Sequence, residues 1–213
     1  YIKGRGATPA FKGYHGFPGN ICASINEEVV HGIPGLRKLK NGDNVSVDIG
    51  AVINGYNGDA AITVPVGEVD AQLQKLLQVT EESLHKGIEK AVIGNRLSDI
   101  SHAIQTHCEQ FGFGVVRDYV GHGIGRSMHE DPQVPNYGRK GNGVLLKAGM
   151  CIAIEPMVTM GDKSIYMMPD RWTIRTRDGK PAAHFEHTIA IRKDKAYILS
   201  SFEEVERIEG IKY

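Results

Sequence analysis

At 213 residues the chain is long enough for one large domain or two small ones, each with a proper core. A hydrophobic content of 41% and a charged content of 23% suit a globular fold in water, and 25 basic against 25 acidic residues argue against a nucleic-acid surface or an anionic membrane partner. No apolar run approaches the roughly 18 residues that a membrane span needs. Three scattered cysteines (Cys22, Cys108, Cys151), with no C-x-x-C pair, argue against a disulfide framework and for a reducing, cytoplasmic setting.

The chain opens at Tyr1 in "YIKGRGATPAF", which reads as the tail of an element, so an N-terminal piece is expected to precede it. Residues 1 to 66 are dense in Gly and Pro and read as loops and strands. Within them, "VDIGAVINGYNGDAA" (47–61) has the alternation of a β-hairpin around an Asn54-Gly55 turn. That turn centre sets Asp59 opposite Gly50 and Asp48 opposite Ala61. Residues two apart share a face, so Asp48, Gly50 and Asp59 point the same way, with Gly50 expected to leave room beside the acids. Two carboxylates held as diagonal neighbours repel unless a cation or a shared proton intervenes.

A helix is predicted over 70–93, with Asp70 as cap, Gly94 at its end, and Leu73, Leu76, Leu77, Leu84, Ile88 and Val92 inward. A second is predicted in "SDISHAIQTHCEQFG", capped by Ser98 and ended by Gly112. Its inward residues are Ile100, Ala103, Ile104, His107 and Phe111. Strands and loops then return in "GVVRDYVGHGIGRSMHEDPQVPNYG", "GMCIAIEPMV", "RWTIRTRDGKPAAHFEHTIAIRK" and "AYILSSF". Strands, then helices, then strands describe an α+β domain rather than alternating βαβ units.

Five ligand-type residues sit where strand patterning expects something apolar or small: Asp48, Asp59, His122, Glu155 and Glu186. Glu155 shares a face with Cys151, Ala153 and Met157, and Glu186 shares one with His184, Thr188 and Ala190. Taken singly, an acid in a strand is commonly an edge or solvent-facing residue, and a His between glycines a loop residue. "GHGIG" also lacks the third spaced Gly and the Lys-Ser/Thr of a phosphate loop. Together, four carboxylates with one imidazole would repel strongly, and two divalent cations balance them. Such an oxygen-rich set suits Mn, Fe(II), Co or Zn, and no HExxH helix is present. His31, in "EEVVHGIPG", and His129, in "RSMHEDP", are candidates to donate to a developing oxyanion and a leaving amine.

The motifs "GYHGFP", "ICASINEEVVHGIP", "VDIG…NGYNGDAA", "VGHGIG..MHEDP", "IEPM" and "FEHTIAI", in this order and spacing, resemble the type I methionine aminopeptidases. The resemblance covers essentially the whole chain. It implies the pita-bread (creatinase/aminopeptidase) fold: pseudo-twofold halves, a curved antiparallel sheet, and helices on its outer face. It implies one catalytic domain over 1–213, lacking a family N-terminal helical segment. By resemblance Asp48 binds one of two divalent metal ions (Co, Mn, Fe or Zn), Asp59 and Glu186 bridge both, and His122 and Glu155 complete the other. His31 and His129 carry over as catalytic and substrate-binding imidazoles, near the scissile amide and the carbonyl oxygen respectively. Glu155 is the implied proton acceptor for a metal-bridging water, and the hydroxide so formed is implied to attack the scissile carbonyl.

A pocket for the methionine thioether is implied at Tyr14, Phe17, Cys22, His31, Met128 and Trp172, with Phe11 nearby; Met128 stands where the family usually has Phe. The implied substrates are nascent polypeptide N-termini with a small, uncharged second residue, met by a cytoplasmic monomer with transient ribosome contact. Another pita-bread enzyme of the Xaa-Pro type would usually carry an additional N-terminal domain and different pocket motifs. A type II methionine aminopeptidase would need an insertion between His122 and Glu155 for which there is little room. A non-catalytic relative that binds without metals would have lost ligands, and all five positions are intact.

Overall fold

The Asn54-Gly55 turn sets the register of the longest strand pair. Both residues have positive φ (51° and 79°), as a tight two-residue hairpin turn requires. The structure is a computed structural model and describes residues 1–202; of the expected domain over 1–213, residues 203–213 lie outside the described residues. Its strands are β1 (Thr8–Pro9), β2 (Cys22–Ile25), β3 (Glu28–Val30), β4 (Asn44–Ile53), β5 (Tyr56–Pro65), β6 (Gly114–Val115), β7 (Gly121–Gly123) and β8 (Glu130–Val134). They continue with β9 (Cys151–Ile154), β10 (Met157–Thr159), β11 (Ile165–Met167), β12 (Ile174–Thr176), β13 (Ala182–His184), β14 (Glu186–Ala190) and β15 (Tyr197–Ile198). Two helices, α1 (Ala71–Lys90) and α2 (Leu97–Glu109), lie between β5 and β6.

Nine of these strands form one antiparallel sheet in the order β1-β4-β5-β14-β9-β7-β8, with β2 also on β4 and β15 on β14. In β4–β5, Asp48 pairs with Ala61 and Gly50 with Asp59, the register expected from the turn. Two three-stranded sheets, β13-β10-β6 and β11-β12-β3, complete the fold.

Helix α1 starts where expected, because the Asp70 carboxylate accepts from the N–H groups of Gln72 and Leu73 at 2.9 and 2.8 Å. It stops at Lys90 rather than 93, with Ala91 out of helical geometry, so Val92 is only half-buried beyond its end. Helix α2 begins one residue before the expected cap. The Asp99 carboxylate accepts from the Arg96 N–H at 2.7 Å, while the Ser98 hydroxyl donates instead to the Asn142 carbonyl. Phe111, expected inward, is 41% exposed beneath Lys75 Nζ, because the helix ends at Glu109 and its phase is lost; Cys108 is buried instead.

The apolar stripes of both helices pack with Ile152, Ile154 and Ile189 from one side of the large sheet and with Phe185 from the break between β13 and β14. Alternation along β9 and β14 then turns the other side away from the helices, and that side carries the acids.

Two segments read as single strands are each broken. "CIAIEPMV" divides at Glu155-Pro156 into β9 and β10, and "AAHFEHTIAI" divides at Phe185 into β13 and β14; in each case one half joins the large sheet and the other a small one. Pro156 has no N–H to continue a ladder, and its carbonyl accepts from the Phe185 N–H at 3.4 Å where the two breaks meet. Glu155 therefore sits in a bend between sheets rather than on a strand face.

Replacing Asp70 with Ala is expected to cost about 1 kcal/mol of stability by loss of the α1 cap. Urea denaturation measures this, and an unchanged midpoint would show that the cap does not hold the helix start.

Candidate active site

Two rows of side chains cross the large sheet on the face turned away from the helices. Asp48 is opposite Ala61, and Ala61 is opposite Glu186. In the neighbouring row, Thr188, Ala153 and His122 are successive partners from β14 through β9 to β7. Thr188 joins this row to Asp59: its Oγ1 accepts from the Asp59 N–H at 3.0 Å and donates to the Asp59 carbonyl at 2.8 Å. Paired residues on neighbouring strands point the same way, so both rows face one cavity. Ala61 and Ala153, both fully buried, leave open the space between the larger side chains.

Ligand atoms of Asp59, His122 and Glu186 all lie within 4.8 Å of one another. Asp48 and Glu155 line the same cavity, and Glu155 Oε1 is 3.5 Å from His122 Nε2. That separation is long for a hydrogen bond and suits two ligands facing a shared centre. The His122 ring is already set for this, since its Nδ1 lies 2.9 Å from the Gly123 carbonyl. A carbonyl only accepts, so Nδ1 carries the proton and the Nε2 lone pair turns to the acids.

The acids are buried at an electrostatic cost. Burial first, then the charges of Asp59 and Glu155, pushes Asp48 well above the usual carboxylate range. Burial, with Asp59, Glu155 and Asp48, does the same to Glu186. Asp59 and Glu155 are both raised to about 7, mainly by burial. Asp48 Oδ1 and Glu186 Oε1 are buried without a hydrogen-bond partner.

The two further imidazoles reach the cavity from loops. His31 follows β3 in a left-handed backbone conformation (φ 60°), with its ring edge-on to Tyr119 and Trp172. Burial, and the nearby His184, lower its pKa to about 4. His129 precedes β8, its ring 4.2 Å from that of His122; burial, then His122, His31 and His15, lower its pKa to about 4. Both are therefore neutral near neutral pH.

Beside the acids the cavity turns apolar. Phe17, Cys22 and Met128 are buried there, Trp172 packs edge-on to Phe17 at 5.1 Å, and Tyr14 and Phe11 complete the wall. Burial, aided by Asp48, pushes the Cys22 thiol up, which makes it a wall rather than a nucleophile. The whole cavity, acids and apolar wall together, encloses about 140 Å³. Gly50 does not open room beside the acids as expected: a Cβ there would overlap the Phe11 ring and come within 2.9 Å of Met128 Cε. Its lack of a side chain admits the pocket wall instead.

The model of metallopeptidase family M24 matches residues 2–193. The chain belongs to metallopeptidase family M24. Methionine aminopeptidase 1 of Bacillus subtilis (strain 168) is 58% identical over 200 residues, which cover 94% of this chain and 81% of that protein. The methionine aminopeptidase of Clostridium acetobutylicum is likewise 58% identical, over 95% of this chain and 82% of its own length. The crystal structure of the methionine aminopeptidase from Thermotoga maritima matches with a TM-score of 0.91 at 54% identity, covering 93% of this chain and 80% of that one. The sheet with its outer helices is the pita-bread fold.

The residues of this M24 chain fit a divalent cation. Unpartnered buried carboxylate oxygens and an imidazole with a fixed free lone pair form a hard, oxygen-rich donor set. Sequence reasoning missed two residues that support it. His184 is buried with its Nε2 unpartnered and 3.6 Å from Glu155 Oε2; Thr188 clamps the Asp59 backbone. Both stand two residues from Glu186, and that spacing was the available signal. Tyr119, against His31, gave no such signal.

Cation binding must displace protons from acids raised to about 7. These groups hold protons below that value and lose them above it, so affinity is expected to rise with pH up to about 7. The slope is roughly tenfold per pH unit for each proton displaced. Calorimetry in buffers of different protonation enthalpy measures it, and affinity that is flat from about pH 6 to 7 would contradict it.

Proposed function

We propose that the chain is a methionine aminopeptidase that removes N-terminal Met from nascent proteins and peptides whose second residue is small and uncharged. The observation that carries this reading is a short apolar pocket opening directly onto the cradle of acids. The whole cavity, acids included, encloses about 140 Å³, well below the roughly 300–1,000 Å³ of drug-sized sites, so its apolar part suits one side chain rather than a peptide. Phe17, Trp172, Cys22, Met128, Tyr14 and Phe11 offer an unbranched thioether a polarisable, sulfur- and aromatic-rich wall.

In this reading Asp48, Asp59, His122, Glu155 and Glu186 hold two divalent cations, drawn from Co, Mn, Fe and Zn. When bound, these supply a Lewis acid for the scissile carbonyl and a nucleophilic water near neutral pH. Glu155 would be the proton acceptor for the attacking water. His129, neutral and at the cavity wall, donates to the carbonyl oxygen as charge develops there. His31, which lines the same cavity, serves the leaving nitrogen. The substrates are N-termini of nascent chains, met by a cytoplasmic monomer with transient ribosome contact. Three free cysteines suit a reducing compartment, and among the described residues no helix is long and apolar enough to cross a membrane.

Metal-loaded protein is expected to release Met from Met-Ala-Ser and not from Met-Lys-Ser, followed by mass spectrometry. His129→Ala is expected to keep its metal content and to lose roughly 100-fold in kcat. No release with any of Mn, Fe, Co or Zn, or equal release of a leading non-Met residue, would sink the reading.

A further inference from the structure

Two imidazoles lie side by side in the cavity, His122 and His129, with ring centroids 4.2 Å apart. Each has one nitrogen committed to a partner, and the partners are of opposite kind. His122 Nδ1 faces the Gly123 carbonyl at 2.9 Å, which can only accept. His129 Nδ1 faces the Tyr14 hydroxyl at 2.7 Å. A phenol donates more strongly than a neutral imidazole N–H, and its oxygen accepts less well than an imidazole nitrogen. The Tyr14 O–H therefore donates to the Nδ1 lone pair.

We propose that Tyr14 is a positioning residue that fixes His129 as its Nε2–H tautomer, making this imidazole a hydrogen-bond donor to the substrate carbonyl rather than another metal ligand. The inference rests on the aminopeptidase reading and gives Tyr14 a role beyond lining the pocket. Neighbouring rings of the same chemical type are assigned opposite tasks by what sits on Nδ1. His122 turns a lone pair to the acids, whereas His129 turns an N–H to the cavity.

The local backbone is built to hold the phenol there. Gly13 and Gly16 both have positive φ (86° and 88°), and His15 between them is also left-handed. The turn they make is closed by the Gly13 N–H to the Phe17 carbonyl at 2.8 Å and the Tyr14 N–H to the Phe11 carbonyl at 2.9 Å. The Tyr14 ring then lies nearly parallel to His129, at 5.3 Å and 29°, with His15 edge-on behind it. Ring contact and hydrogen bond together restrict His129 to one orientation.

The test is Tyr14→Phe, which keeps the ring and the pocket wall and removes only the hydroxyl. Nitrogen-15 NMR of the zinc-loaded protein is expected to show His129 as a single Nε2–H tautomer in the parent and a mixture in the variant. The variant is also expected to lose about 10-fold in kcat with KM little changed. A single unchanged tautomer in the variant would overturn the proposal. A raised KM with unaltered kcat would do so too, since that is the mark of a pocket wall alone. The NMR readout does not depend on turnover. Failure of the aminopeptidase reading would appear separately, as a parent protein that releases no methionine.

Discussion

Four carboxylates meet in one buried cavity, three from one face of the large sheet and Glu155 from the bend beside it, and the rest of the structure is arranged around their burial and repulsion. Asp48 and Glu186 share one row across the strands, and Asp59 joins the row that holds His122. Water is largely excluded, so the acids cannot be screened as surface acids are. Burial holds all four above the ordinary carboxylate range, and the charges of neighbouring acids add to it at Asp48, Asp59 and Glu186; without cations protonation is the relief. A site strained in this way has a strong reason to take up divalent ions. Replacing protons by metal turns an unfavourable cluster into a matched one.

Holding such a cluster in place needs rigidity beneath it. The helices supply this from the opposite face, where Ile152, Ile154 and Ile189 alternate with the site-facing residues of β9 and β14. The same alternation that buries isoleucine under α1 and α2 turns Ala153, Thr188 and Glu186 into the cavity. The break of both strands at Pro156 and Phe185 adds what a regular sheet could not. It frees Glu155 to approach His122 from a bend and brings His184 to its other oxygen. Buried methyl-sized residues at 61 and 153 keep the space between the rows open.

Legibility followed sequence distance. The β4–β5 register could be read residue by residue because a two-residue turn fixes it locally. The start of α1 was equally plain, since Asp70 caps within its own turn. Neither end of α2 was as plain: at its start Asn142 captures Ser98 from far along the chain, and at its finish a slight early stop leaves Phe111 partly exposed. The hairpin register shows only the cross-strand neighbours of Gly50, whereas its close partners, Phe11 and Met128, arrive from other parts of the fold. The bend at Glu155 was hidden because eight mostly apolar residues look like one strand until their partners are known. His184 ends β13 in a small sheet rather than sharing a strand face with Glu186, and no alternation pattern shows that its Nε2 lies near Glu155.

The central claim is that these acids are together because they hold cations. Anomalous diffraction from crystals of the manganese-loaded protein tests it directly. The account predicts two peaks, roughly 3.5–4 Å apart, between the Asp48–Glu186 row and His122. A single peak, or ions bound anywhere other than this face of the sheet, would contradict it.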